Sequence, residues 1–492
     1  MDCGFSFEVR SGSGTVSDPF LVQFPPGDPR NPMYFLPRKK WIITSIVTLS
    51  VFAVAMTSSA YSGSSNEIKE ALAISSEVNA LGVSLFVLGF AIGPCLWAPL
   101  SELYGRQILF TTTYALFTAC VAGSAGSNSA ATLLALRFLA GTFGASPLTN
   151  AGGVIADIFP PSQRGLGMAI FATAPFLGPV LGPMMAGFIS INVGWRWVQG
   201  VMAICAGILW IIGSMSLPET YAPVLLQKRA QYLSNTMSSA CISVLEKKKG
   251  IINPSAVFVN ALKRPWVLLV AEPIVLIASA YMAILYGTLY MMFGAFPIVF
   301  QEQRGWNAGM GGLAFLGVTV GMLVGLGYAI WDNNRYQRLQ DKWYNGSKPP
   351  PEARLPPAIV GGFALPVGLF GFAWASLPSM HWSFCIIAAA PFGFGMVLVF
   401  ISCLNYLIDA YTVYAASVLA ASAILRAFFG AAFPLFTRQM YANLGVQWAS
   451  SIPGFLTLAC LPFPLLMYKY GGALRLKCKY AKEAALLTAQ LE

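Results

Sequence analysis

Long apolar stretches separated by short polar segments fill most of the chain between residues 41 and 470. A bilayer core about 30 Å thick is crossed by roughly 20 apolar residues in a helix, which satisfies its own backbone hydrogen bonds. Twelve stretches meet this length. The predicted spans are 41–63, 79–99, 108–126, 131–156, 165–189, 197–217, 266–290, 309–331, 357–374, 382–406, 414–436 and 449–470.

The longest polar gap, residues 218–265, divides these spans six and six and is predicted to be a cytoplasmic central loop. The pattern predicts an all-α membrane protein with twelve transmembrane helices in two six-helix bundles, 41–217 and 266–470. Segment 1–40 is predicted to be a disordered cytoplasmic tail and segment 471–492 a second cytoplasmic tail. Two bundles joined by a polar linker are typical of transporters, whose substrate sites lie between the halves near the midplane.

Composition supports a lipid-facing surface and excludes other classes of protein. Hydrophobic residues make up 56% of the chain, charged residues only 10%, and the mean hydropathy is +0.65. A soluble fold needs about 25% charged residues to cover its surface. The net charge of +11 is spread over the ends of apolar runs, so no nucleic-acid partner is expected. Most of the nine cysteines lie within apolar runs and act as small hydrophobes, which excludes a disulfide scaffold.

The distribution of Lys and Arg predicts the orientation. With the N-terminus inside, only Lys69, Arg196, Arg304 and Arg438 fall in outer loops, out of 30 Lys and Arg residues. Because positive residues collect in cytoplasmic loops, both termini are predicted to be cytoplasmic.

Few ionisable residues lie within the spans, where each costs about 2.5 to 3.5 kcal/mol on insertion scales. Arg137, Glu272 and Arg426 are placed inside spans, and Asp157 and Asp409 at the cytoplasmic ends of spans four and ten. Two interpretations are open: buried structural pairs, or a path for protons or substrate. For proton coupling, the candidates are Arg137, Glu272 and Asp409.

Segment 93–106 reads Gly-Pro-Cys-Leu-Trp-Ala-Pro-Leu-Ser-Glu-Leu-Tyr-Gly-Arg. It resembles the signature G-x-L-x-D-x-x-G-R between spans two and three of the major facilitator superfamily, with Ala98 for the first Gly and Glu102 for the Asp. Gly105 permits a tight cytoplasmic turn. Glu102, Gly105, Arg106, Asp157 and Arg164 are therefore the predicted cytoplasmic gate, in which charge-assisted hydrogen bonds close the inner side.

Two further segments resemble signatures of the same superfamily. Residues 133–141, with Arg137 near the outer third of span four, resemble its second signature. Span five resembles G-x-x-x-G-P-x-x-G-G, which the superfamily associates with antiporters, through Gly178, Gly182, Pro183 and Gly187. Glycines at a spacing of four allow close helix approach. The glycines of span five are predicted to face a second strip in span eight, formed by Gly317, Gly321 and Gly325.

Other segments narrow the resemblance to fungal twelve-span drug:proton antiporters over about residues 41–470. These segments are 217–226, 264–274, 286–290, 296–300, 405–411 and 415–436. The resemblance implies proton-coupled export of drugs, toxins or secondary metabolites, at the plasma membrane and by a functional monomer. A proton symporter or facilitator that imports a nutrient or polyamine, and a transporter-like receptor, remain alternatives.

Spans seven and ten line the central path in this family, which implies a binding wall. The candidates for substrate binding are Asn150, Tyr281, Tyr286, Tyr290, Phe293, Asn405 and Tyr406. Aromatic faces stack on flat apolar or cationic compounds, and the amides can orient a substrate.

No enzymatic or cofactor chemistry is predicted. His381 is the single histidine and has no Cys or carboxylate cluster at ligand spacing, so no metal is expected. The chain has no phosphate-binding G-x-x-x-x-G-K-[ST] segment, so ATP-driven transport is not supported. The expected partners are a small-molecule substrate and the lipid bilayer, with a proton gradient as the energy source.

Overall fold

The computed structural model describes residues 9–10, 12–15, 18–25, 27–160, 163–249, 254–342 and 349–491, and these are mostly helical. Ten segments are long and apolar enough to cross a membrane, and the last of them, Trp382–Lys477, is long enough for three crossings. The first ten crossing helices are α1 Pro37–Gly63, α2 Ser76–Tyr104, α3 Arg106–Ala125, α4 Ala130–Ile158, α5 Arg164–Val193, α6 Trp195–Ser216, α7 Pro273–Phe296, α8 Leu316–Lys342, α9 Pro356–Ala375 and α10 Trp382–Tyr411.

The helical run Ala415–Cys460 contains the eleventh crossing and the start of the twelfth. Gly445 breaks the run with a φ of 75°, a left-handed backbone that glycine adopts readily. The hydroxyls of Tyr441 and Ser450 lie 2.7 Å apart, although nine residues of straight helix span about 13 Å, so the chain reverses between them. We label the two limbs α11 (415–444) and α12 (446–477). The described residues thus contain the twelve predicted crossings.

Both ends of the crossing bundle lie at one face, which we call the terminal face; the opposite side is the far face. At the terminal face Lys40, at the start of α1, lies over the ring of Phe159, just after the end of α4. The same face carries the helices Ala222–Met237, Pro254–Ala271 and Lys479–Leu491. We call the last of these the tail helix.

Each half is held together mainly by contacts among its own helices. In the N-terminal half α1 packs on α5, α2 on α4, and α3 on both α4 and α6. In the C-terminal half α8 and α9 both pack on α10. Between the halves α11 packs on α2 and α7, since Gly430 lies against Val87 and Tyr286. A second contact joins α5 to the short helix Ala308–Leu313 before α8 at the far face.

The predicted seam between the glycine strips of α5 and α8 is wrong. Side chains added at Gly178 and Gly182 would meet the α1 backbone, 2.8 Å from the carbonyl oxygen of Phe52 and 2.6 Å from that of Met56. The strip in α8 instead faces α10, where Gly321 lies against the carbonyl group of Ala390. Small residues allow close approach wherever two helices touch, so the motif does not specify the partner.

A smaller set of residues makes the contact between α5 and the start of the α8 segment. Gly187 lies against the backbone of Ala308, and Gly309 against the ring of Phe188. A Cβ on Gly312 would lie 2.9 Å from the carbonyl oxygen of Pro183. Of the four predicted antiporter-motif positions, Pro183 and Gly187 therefore reach the opposite half, and they do so at the far face.

Contrary to the prediction, Glu272 lies not inside a span but between the helix Pro254–Ala271 and α7. Its backbone is extended, with φ −118° and ψ 97°. A residue that precedes proline is disfavoured in the helical region, and Pro273 follows it. The break places Glu272 at the terminal face.

The N-terminal segment predicted to be disordered is ordered where the structure describes it. Strand Phe20–Val22 pairs in parallel with Cys241–Ser243 of the central loop and antiparallel with Val9–Arg10. Nearby, Arg30 donates to Asp28 at 3.0 Å. Burial opposes the charged form of Asp28, but the hydrogen bonds and charge of Arg30 outweigh it and lower the pKa of this carboxyl.

Substitution of Gly321 tests the contact between α8 and α10. We expect Gly321→Leu to destabilise the C-terminal half by about 3 kcal/mol, because the new side chain meets a backbone carbonyl that cannot rotate away. The measurement is the melting temperature and monodispersity of the purified protein in detergent. Gly327→Leu is the control, because a Cβ at this position would have no neighbouring atom within 4 Å. Equal melting temperatures for the two variants would contradict this contact.

Candidate functional site

A cavity of about 140 Å³ lies between the two halves and towards the far face. Tyr61 and Asn79 of the N-terminal half line one side, and Tyr290, Phe293 and Thr437 of the C-terminal half line the other. Its charged lining residues are Glu67, Lys69, Glu302 and Arg438. A cavity bounded by both halves is the expected place for a transported substrate.

Arg137 anchors the N-terminal side of this region and is 1% exposed. Its guanidinium donates to the carbonyl oxygens of Gly82 at 2.9 Å, Thr57 at 2.9 Å and Ser58 at 2.8 Å. The same group lies 4.4 Å from the centroid of the Phe86 ring. Arg137 thus joins α4 to α1 and α2, and backbone carbonyls take the place of a carboxylate partner.

A line of hydroxyls continues from Arg137 into the C-terminal half. The hydroxyl of Ser58 lies 2.7 Å from that of Tyr290, and the Tyr286 hydroxyl donates to Tyr290 at 3.4 Å. The guanidinium carbon of Arg426 lies 5.2 Å from the Tyr286 ring centroid. We call these five residues the arginine–tyrosine line. It joins two cations across the seam, and no carboxylate contacts it among the described residues.

The arginine–tyrosine line was only partly predicted. Arg137, Tyr286, Tyr290 and Phe293 were chosen from the sequence, and Tyr290 and Phe293 line the cavity. Nothing in the sequence distinguishes Ser58 as a site residue, because serine is common in apolar helices. Arg426 is distinguishable, because it is a charged residue inside a predicted span.

The other predicted wall residues do not line the cavity. The Tyr281 hydroxyl lies near Gly362, between α9 and α12, and the Tyr406 hydroxyl points to the sulfur of Met467 in α12 at 3.9 Å. Both tyrosines therefore belong to the core of the C-terminal half. Asn405 is half-buried in α10, and no hydrogen bond joins its side chain to another described residue.

Arg106 organises a polar cluster at the terminal face of the N-terminal half. It pairs with Asp157 at 3.3 Å and donates to the Ser101 hydroxyl at 2.5 Å. It also donates to Asn150 at 3.2 Å, so this amide serves the cluster and not the cavity wall. The cluster joins the turn between α2 and α3 to the end of α4.

Glu219, which sequence reasoning missed, holds the turn itself. Its carboxylate accepts the backbone N–H of Arg106 at 2.9 Å and of Gln107 at 3.3 Å. Gly105 has a φ of 99°, and a side chain there would collide with the Glu219 carboxylate. The feature of the sequence that could have identified Glu219 is the Leu-Pro-Glu-Thr-Tyr segment at 217–221, one of the segments that carry the family resemblance.

Glu102, predicted to belong to this gate, is exposed and makes no hydrogen bond or ion pair to a described residue. The charge of Glu102 acts on Tyr221, whose ring lies 5.0 Å from the Arg106 guanidinium carbon. Burial raises the pKa of Tyr221 to about 12, and Glu102 and Asp157 act in the same direction against Arg106. The Arg164 side chain lies outside the described residues.

The C-terminal half repeats the arrangement at the end of α10. Asp409 pairs with Arg354 at 2.9 Å, and the Arg354 guanidinium carbon lies 3.4 Å from the Tyr336 ring centroid. Next to this pair, Glu352 accepts two hydrogen bonds from Arg475, at 2.8 and 2.9 Å. In each half, then, a carboxylate at a helix end is paired with an arginine at or just before the start of another helix.

Glu272 connects the tail helix to the C-terminal half. Its carboxylate accepts the Tyr411 hydroxyl and the Tyr480 backbone N–H, each at 2.8 Å, and the side chain is 0% exposed. Burial raises the pKa of the nearby Cys478 thiol to about 11, and the Glu272 charge adds to this effect. Neither Glu272 nor Asp409 contacts the arginine–tyrosine line.

Comparisons with known proteins agree with this arrangement. A family model described as Major Facilitator Superfamily matches residues 47–434. The major facilitator-type transporter sorT of Penicillium rubens is 60% identical over 98% of this chain and 93% of its own length. The MFS-type efflux pump MFS2 of Trichophyton rubrum is 61% identical over 96% of this chain and 79% of its own. The multidrug transporter mdrA of Aspergillus fumigatus is 57% identical over 96% of this chain and 78% of its own length.

Solved structures share the fold. The xylose transporter XylE from E. coli, in a partially occluded inward-open conformation, aligns over 88% of this chain and 98% of its own, with a TM-score of 0.60 and 15% identity. A D-xylose-proton symporter aligns over 86% of this chain and 97% of its own length, with a TM-score of 0.62 and 16% identity. At this level of identity the likeness concerns the fold alone.

Removal of the Glu219 carboxylate tests its role in the turn. We expect Glu219→Ala to lower the free energy of unfolding by about 2 kcal/mol, since backbone donors of the turn lose a charged acceptor. The measurement is the melting temperature of the purified protein. Glu102→Ala is the matched control, three residues before the turn and exposed, and should melt like the unmodified protein. A larger loss in Glu102→Ala than in Glu219→Ala would contradict the assignment.

Proposed function

Because this chain belongs to the Major Facilitator Superfamily, we propose that it exports small organic molecules by alternating access, with protons moving in the opposite direction. Relatives at 57% to 61% identity carry names that describe an efflux pump and a multidrug transporter.

The cavity between the halves is the observation that carries this proposal. It lies in the far half of the membrane-spanning bundle and is lined by residues of both halves. On the terminal side the helix Pro254–Ala271 contacts both α2 and the segment that contains α11. One face is therefore sealed while the cavity lies nearer the other, which is the geometry of one state in an alternating-access cycle.

We assign the terminal face to the cytoplasm, in keeping with the Lys and Arg distribution. In this orientation the cavity is in its outward-facing state, and each arginine–aspartate pair, within its own half, holds helix ends that form the closed inner side. Substrate is then released towards the far face. The plasma membrane is the proposed location, with a monomer as the functional unit.

Proton coupling needs a group that changes its protonation during the cycle. No described carboxylate contacts the arginine–tyrosine line, and Arg137 keeps its proton at physiological pH. Of the candidates predicted from the sequence, the two carboxylates, Glu272 and Asp409, both lie at the terminal face. Protonation of Asp409 removes the charge that holds Arg354 and so loosens the terminal-face end of the C-terminal half.

Uptake by proteoliposomes under an imposed pH gradient tests the function. Vesicles with the terminal face outward, selected by their accessibility to protease at the tail, should accumulate substrate when their lumen is acidic. The candidate substrates to be tested in this assay are drugs, polyamines and organic acids. Accumulation only when the gradient is reversed identifies a symporter, and binding without movement identifies a receptor; either result contradicts export.

Neutral variants of the two carboxylates test the coupling. We expect the combined change Glu272→Gln and Asp409→Asn to leave exchange of labelled substrate intact and to abolish its response to a pH gradient. Arg137→Gln should weaken the same response. Glu102→Gln is the control, since this exposed carboxylate has no hydrogen-bond or ion-pair partner among the described residues. Gradient-driven accumulation that persists in the double variant would place the proton path elsewhere.

Arg106 variants test the inner gate. Exposed ion pairs contribute about 0.2 to 1 kcal/mol each, so the gate depends on the combined contacts of Arg106 with Asp157, Ser101 and Asn150. We expect Arg106→Ala to shift the population towards inward-open and to increase labelling of a cysteine engineered at Val154. The Lys263→Ala variant serves as the control for removal of one terminal-face charge. Unchanged labelling in Arg106→Ala removes the gate from the mechanism.

A further inference from the structure

The interior of the bundle holds two guanidinium groups with very different surroundings. Arg137 donates to three carbonyl oxygens. Arg426, in the middle of α11, makes no hydrogen bond and no ion pair with any described residue. Its described contacts are ring faces, with its guanidinium carbon 5.2 Å from the Tyr286 centroid and 5.6 Å from the Phe400 centroid.

An arginine without an acceptor is costly in this environment. The Arg426 side chain is half-buried, and none of its five N–H groups donates to a described residue. Ring faces attract the cation but accept no conventional hydrogen bond. The unmet requirement is for an anion that offers two oxygen acceptors to the planar guanidinium.

The position of Arg426 makes it accessible during the transport cycle. Phe400 of α10 packs against Phe176 of α5, with ring centroids 4.8 Å apart, so one of the rings around Arg426 lies on the seam between the halves. The other ring belongs to Tyr286, whose hydroxyl donates a hydrogen bond to the hydroxyl of Tyr290, and Tyr290 lines the cavity. Separation of the halves at Phe176 and Phe400 therefore opens a route between the cavity and Arg426.

The charges along this route discriminate among substrate classes. Arg137 and Arg426 stand at the two ends of the arginine–tyrosine line, and no described carboxylate offsets them there. A cationic substrate meets repulsion from both, and a neutral one offers the Arg426 guanidinium no charged acceptor. A flat anion satisfies the guanidinium and also stacks between the tyrosine and phenylalanine rings.

We propose that Arg426 binds the negatively charged group of the substrate, and that the preferred substrates are flat aromatic or conjugated organic acids in their anionic form. The carboxylate lies against the guanidinium, and the ring lies between Tyr286 and Phe400. This assignment rests on the proposed export function and narrows its substrate class. It disfavours polyamines and cationic drugs.

Three probes of matched size test the charge preference: 1-naphthoate, its methyl ester and 1-naphthylmethylammonium. Their binding to the purified full-length protein is measured by isothermal titration calorimetry at pH 7. The unmodified protein should bind naphthoate at least tenfold more tightly than either of the other probes. Equal affinity for the ester, or tighter binding of the ammonium, overturns the proposal.

Two substitutions assign the preference to Arg426. Arg426→Gln should weaken naphthoate binding at least tenfold and leave ester binding within twofold. Arg426→Lys keeps the charge but loses the two-pronged geometry, so naphthoate binding should weaken by a smaller factor. If the glutamine variant does not fold, the lysine variant decides: unchanged affinity for naphthoate overturns the role of Arg426.

A matched control removes a positive charge elsewhere on the protein. Arg304 donates to the carbonyls of Leu377 and Met380 at the far face, outside the cavity lining. Arg304→Gln should keep the preference for naphthoate. Loss of the preference in this variant means that the general positive charge of the protein, and not Arg426, causes it.

Transport of the ester distinguishes the proposed substrate class from the proposed export function. An ester exported without preferential naphthoate binding overturns only the substrate class, and naphthoate binding without export of any probe overturns only the export function.

Discussion

A charge buried in an apolar helical bundle must find its hydrogen-bond partners within the protein, and Arg137 meets this constraint with backbone carbonyls. Its guanidinium donates to residues of α1 and α2 from α4. Because these helices share one cation, their separation would leave its donors unsatisfied. The N-terminal half is therefore suited to move as one body, and Ser58, which provides one of the carbonyls, also contacts Tyr290 of the other half.

Charges at the terminal face differ from Arg137 because they lie close to water, where each ion pair contributes little stability by itself. Both halves use the same device at the ends of α4 and α10, where Asp157 pairs with Arg106 and Asp409 with Arg354. Buried carboxylates then hold the surrounding backbone: Glu219 binds the turn before α3, and Glu272 binds the start of the tail helix. Because these ion pairs and carboxylate contacts lie within single halves, they are compatible with rocking of the halves as rigid bodies.

Glycine contacts divide in the same way between the inside of each half and the seam. Gly178 and Gly182 bring α5 onto α1, and Gly321 brings α8 onto α10, so these positions consolidate single halves. Across the seam, Gly187 and Gly309 make contact at the far face, and Gly430 of α11 lies against Val87 of α2.

The sequence by itself determined the helices, their number and the family, because crossing a bilayer requires about 20 apolar residues and segment 93–106 is specific. It also identified Arg106, Asp157, Arg137 and Tyr290. Only the tertiary structure decided which helix each glycine strip meets, that Glu219 and not Glu102 holds the turn, and that Arg426 has no hydrogen-bond acceptor among the described residues. The physical reason is that lipid and neighbouring helices are equally apolar. A membrane helix therefore carries little pattern that tells which of its sides faces a neighbour, and the pairing appears only when the helices are packed together.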